Sequence, residues 1–162
     1  MAYHAGRIAI LLTLLWAMPE PIAHYGHHGK VLLPDSTVTP GVVRTTSAHE
    51  ICMTTFRTGP FRNTTQATKK AACAEYGVKN CPHVGTLELD HLLPLELGGL
   101  DDLKDLWPQP SDKPGAPGWQ SKDKLENWLK KRVCSGKMSL ADAQKAIMTD
   151  WYTAYLEMEK SK

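Results

Sequence analysis

The sequence predicts an α+β domain, a central ββα unit wrapped by several helices. Three observations carry that expectation. Leu87, Leu89 and His91 alternate with Glu88 and Asp90, the two-residue period of a short strand. Pro94 and the Gly98-Gly99 pair then break the strand and force a turn, after which Leu103 to Trp107 alternates again and stops at Pro108. Further on, Leu125, Trp128, Leu129 and Val133 recur at helical spacing, and so do Leu140, Ala143, Ile147, Trp151 and Tyr155.

Taken in order, residues 1–23 read as a secretory signal. Arg7 and the amino terminus supply positive charge, Ile8 to Met18 is apolar, and Pro19 to Ala23 is a polar cleavage region. Cleavage near Ala23 predicts a secreted or periplasmic protein. The apolar run is shorter than the ~20 residues a spanning helix needs, which argues against a stable membrane anchor. All of Cys52, Cys73, Cys81 and Cys134 lie beyond that signal, and an even count in an exported domain points to disulfides. No two are spaced Cys-x-x-Cys, so a structural zinc cluster is the poorer reading. Of the possible pairings, the favoured ones are Cys73 with Cys81, and Cys52 with Cys134.

Residues 24–46 read as an extended arm. His24, His27 and His28 sit among glycines as a solvated tail, and prolines punctuate Leu33 to Gly41. The domain proper is residues 47–162. Ser47-Ala48-His49-Glu50 is a capping box that predicts a helix from Ala48 to Phe56, burying Ile51 and Cys52. Arg57 to Arg62 is a turn. A second helix is expected over Gln66 to Tyr76, capped by Thr64 or Thr65 and stopped by Gly77, with Lys69 and Lys70 exposed. The Pro- and Gly-rich stretch from Pro108 to Gly118 is a loop. Ser121 caps the helix Lys122 to Cys134, and Ser139 opens a last one to Glu159. The net charge of +2, from 19 basic and 17 acidic residues, excludes a global field that demands a polyanion. Contact with nucleic acid must come from local patches, and Lys122, Lys124, Lys130, Lys131 and Arg132 make their helix the most basic element.

Asp90-His91, Pro94-Leu95, Gly98-Gly99, Leu106-Trp107-Pro108-Gln109, Lys122-Asp123-Lys124-Leu125-Glu126 and Asp150-Trp151 follow one another in a fixed order. That ordered set resembles a small secreted bacterial family of HNH (His-Me finger) endonucleases, and the resemblance runs from about Leu33 to Tyr155. It implies a ββα-metal fold and metal-dependent hydrolysis of phosphodiester bonds in DNA or RNA. No base-reading motif is present, so little sequence preference is expected. The chemistry needs a base near neutral pKa, which histidine supplies, and a cation on the phosphate, which a divalent metal supplies. By the resemblance, His91 is the general base and Asp90 a metal ligand. The family's middle asparagine falls at Asp105, which can accept a hydrogen bond from the imidazole or bind the metal. The helix lacks the family's third histidine, and Asp123, then Glu126, are the candidates to replace it. Such an oxygen-rich set favours Mg²⁺ or Mn²⁺. Lys122 or Lys124 is expected to meet the substrate. The two departures leave open a catalytically degenerate HNH scaffold that binds an envelope component or a protein partner, and a hydrolase of another phosphoester is a weaker option.

Overall fold

The computed structural model describes residues 23–79 and 86–162, and the expected signal up to residue 22 and Cys81 lie outside them. Gly29, at φ 61°, turns the chain between β1 (Gly26–His28) and β2 (Val31–Leu33), an antiparallel hairpin. The expected solvated tail is therefore ordered. Its apolar residues have an anchor that their spacing does not reveal: Val31 is buried, and Tyr25 packs between Tyr76 and Trp107 while its hydroxyl donates to Pro108 O.

Ser47 caps α1 (Ala48–Cys52) by accepting from Glu50 N at 3.2 Å. The helix ends short of Phe56 because Met53 turns to extended backbone and Phe56 instead stacks on Phe61. Helix α2 (Gln66–Glu75) matches expectation, with Thr65 as its cap. Strands β3 (Leu87–His91) and β4 (Leu106–Pro110) pair antiparallel, His91 opposite Leu106 and Leu87 opposite Pro110. The second alternating stretch starts as a 3-10 turn, Leu103–Asp105, capped by Asp102. The strand then runs through Pro108 rather than stopping there. Pro108 O accepts from Tyr25, so the edge of that residue faces away from β3 and its missing N–H is not needed by the ladder. The β3–β4 connection requires glycine: Gly98 sits at φ 84°, and a Cβ on Gly99 would lie 1.9 Å from Leu93 O.

Helix α3 (Trp119–Cys134) begins earlier than expected. Ser121 lies inside it, and the capping is done from the loop by Asp112, which accepts from Gly118 N, Ser121 N and Ser121 Oγ. Helix α4 (Leu140–Lys160) is capped by Ser139 and breaks at Asp150, whose carboxylate recaps the chain by accepting from Tyr152 N and Thr153 N. Leu125, Leu129 and Val133 of α3 join Leu140, Ala143, Ile147 and Trp151 of α4 in one core with Leu92, Leu93, Leu97 and Trp107. Trp128 and Tyr155 lie at its margin. The Cys52–Cys134 disulfide ties α1 to α3 across 82 residues, as expected. Closing so long a loop stabilises the fold by about 4–5 kcal/mol in the chain-entropy account, and such a bond fits an oxidising compartment. The other expected pairing involves Cys81, which falls outside the described residues. The result is a mixed α+β fold, in which no helix among the described residues is long and apolar enough to cross a membrane.

Candidate functional site

A two-residue period sends Asp90 and His91 to opposite faces of a strand. Here β3 ends at His91, Leu92 N donates to Asp105 O, and the chain swings away, so both side chains reach one polar cleft of about 210 Å³. Thr58, Arg62, Glu96 and Glu126 contribute to its walls.

The imidazole is buried and its Nε2 lies 2.9 Å from Asp101 Oδ1. Asp101 also accepts from Thr64 Oγ1 at 2.5 Å and from Asn63 N. It thus fastens the segment before α2 against the strand end, and that segment carries the exposed Arg62 to the cleft. Burial of Asp101 works against its charge, but the bonds from Thr64, His91 and Asn63 together hold its carboxyl below the usual range. Burial pushes the His91 pKa down, against the opposing pull of Asp101, so the ring is neutral near pH 7. An ionised carboxylate only accepts, which places the ring hydrogen on Nε2 and a lone pair on Nδ1.

Lys122 corrects an expectation. It faces inward from the first turn of α3 and is 0% exposed, so it cannot meet a substrate where it stands. Its Nζ donates to Glu126 Oε1 at 2.5 Å, His91 O at 2.6 Å and Asp90 Oδ2 at 2.8 Å. Burial alone would strip the ammonium of its proton, but Asp90 and Glu126 outweigh it and keep the charge on Lys122. Burial pushes the Glu126 carboxyl up, with Lys122 opposing. Asp123 and Glu88 are also pushed up, first by partial desolvation and then by the charge of Asp90. Lys124 lies exposed on α3, as does Asp123.

Asp105 is also placed differently from its expected contact with the imidazole. Its Oδ1 accepts from Leu93 N at 2.9 Å and Val42 N at 3.3 Å, stitching the strand-end loop to the arm. Its Oδ2 is buried with no hydrogen-bond partner among the described residues, and burial pushes the carboxyl up to about 8. The role expected of Asp105 at the ring is filled by Asp101, to which sequence reasoning assigns no role. The available signal is the acidic pair Asp101-Asp102 just after the glycines.

The expected Mg²⁺ or Mn²⁺ needs several oxygens free to converge on one point. Among the described residues no group of three or more His, Cys, Asp or Glu is placed to hold a metal ion. Both Asp90 oxygens are engaged, Oδ1 by His91 N and Oδ2 by Lys122, and Glu126 Oε1 is engaged by Lys122 as well. The donor set does not fit the ion in this arrangement. No family model, no curated protein and no solved structure matches this chain.

Proposed function

We propose that this protein is an exported nuclease of the HNH type, hydrolysing phosphodiester bonds of nucleic acid with little sequence preference. The observation that carries the reading is a neutral, buried histidine, oriented by a carboxylate, at the wall of an open polar cleft beside a guanidinium. His91 Nδ1 takes the proton of a water molecule as that water attacks phosphorus. Asp101 holds the ring in the tautomer this requires and stabilises the imidazolium as it forms. Arg62 is the group suited to a phosphate oxygen, because its planar fork can bind two oxygens at once. Exposed Lys124 and Lys131 on α3 would follow the rest of the backbone by charge, without reading bases.

The test is to incubate the oxidised protein with supercoiled plasmid and with single-stranded RNA, in Mg²⁺, in Mn²⁺ and in chelator. Cleavage that disappears in His91→Ala is the expected result. Cleavage unchanged by that substitution, or none in any condition, ends the proposal. The second reading, a degenerate scaffold that binds a partner, draws on one observation: Lys122 already engages two of the carboxylates expected to hold the metal. Under that reading no arm shows cleavage.

A further inference from the structure

We infer that Lys122 is the resident cation of this site and that cleavage proceeds without a divalent metal. The inference rests on the hydrolytic reading above and goes beyond it, since the resemblance to HNH enzymes implies the opposite. An ammonium has three hydrogens to donate, and Lys122 spends all of them on Glu126, His91 O and Asp90. A Mg²⁺ ion bound through Asp90 Oδ2 and Glu126 Oε1 would compete with Lys122 for both oxygens and set two cations against each other at a buried site.

The position of Lys122 also has a use. Its bond to His91 O holds the end of β3, and its bond to Asp90 holds the carboxylate that accepts from His91 N. Lys122 is therefore a positioning residue for the base, its own charge balanced by the carboxylates of Asp90 and Glu126. The cation that touches substrate is Arg62, whose exposed side chain lines the cleft. Hydrolysis balances with water alone. The water oxygen bonds to phosphorus, one P–O ester bond breaks, the water proton goes to His91 Nδ1, and the leaving oxygen takes a proton from solvent in the open cleft.

The experiment uses the full oxidised chain, freed of metal with excess EDTA, and compares plasmid and RNA cleavage in EDTA and in millimolar Mg²⁺. Rates within about threefold of each other are expected, a difference below the tenfold that ~1.4 kcal/mol represents. Cleavage in Mg²⁺ with none in EDTA overturns the inference and leaves the hydrolytic reading standing. No cleavage in either arm overturns the inference, and the hydrolytic reading falls with it when Mn²⁺ gives none either. Thermal unfolding supplies a readout independent of activity. The unaltered protein should gain no stability from Mg²⁺ or Mn²⁺, whereas Lys122→Met, with Asp90 and Glu126 released, should gain it. Stabilisation of the unaltered protein by either ion counts against the inference, whether or not the variant folds.

Discussion

Two histidine–aspartate pairs of similar length occur among the described residues. His91 Nε2 lies 2.9 Å from Asp101 Oδ1, and His28 Nδ1 lies 2.7 Å from Asp150 Oδ2. In both, the aspartate also organises a nearby backbone: Asp101 accepts from Asn63 N and Thr64 Oγ1, and Asp150 accepts from Tyr152 N, Thr153 N and Thr153 Oγ1. Their surroundings separate them. The side chains of the first pair are 5% and 5% exposed, and those of the second 42% and 24%. Water competes for the second pair, which serves to fasten the β1–β2 hairpin at the break in α4. The first pair is shielded, opens on a cleft and has Lys122 and Arg62 beside it. The same two residue types make a surface latch in one place and a candidate base in the other, and burial with fixed neighbouring charge is what distinguishes them.

The comparison breaks most sharply on activity. His91→Ala should lower cleavage by about 10²–10⁴-fold, while His28→Ala leaves it unchanged; equal losses in the two variants would erase the distinction. Asp101→Asn should cost about 10²-fold or more, because an amide no longer fixes the tautomer. In the unaltered protein the rate should rise with pH through an inflection below the ordinary histidine value of ~6.5, since burial lowers the His91 pKa. A pH–rate curve with its inflection above that value would contradict the burial argument.

Smaller effects are expected on stability. Asp105 supports the buried site, and its carboxyl is raised from 3.8 to about 8 in the fold. Between those values the folded chain keeps a proton that the unfolded chain has released, so the Asp105 contribution to stability falls as pH rises across the window. Asp105→Asn should flatten that fall and raise stability at pH 8 by about 1–3 kcal/mol, read from denaturant midpoints. Asp150→Ala should cost about 0.5–2 kcal/mol through its lost cap, measured the same way. His28→Ala should cost less than about 1 kcal/mol, because the ring is largely exposed and its ion pair is screened.

Much of the local structure is legible along the chain. The caps at Ser47, Thr65 and Ser139 and the β3 alternation all stand where the residues place them. The pairing of Cys52 with Cys134 also agrees with expectation. The arm reads as a solvated tail because its anchors, Tyr76, Trp107 and Asp150, are distant in sequence. Lys122 reads as a surface residue for a related reason. A lysine on a basic helix is ordinarily solvated, and the approach of Asp90 and His91 O from β3, added to Glu126 on the same helix, makes an inward ammonium tolerable. By itself the sequence determined most of which segments are helix or strand, where several of them start, and that an acid and a histidine stand together at a strand end. The tertiary structure decided which acid meets the ring and which cation lies behind it. Caps and periodicity act over a few neighbouring residues, whereas an ion pair forms only where the path of the chain brings remote charges within about 3 Å and removes the water between them.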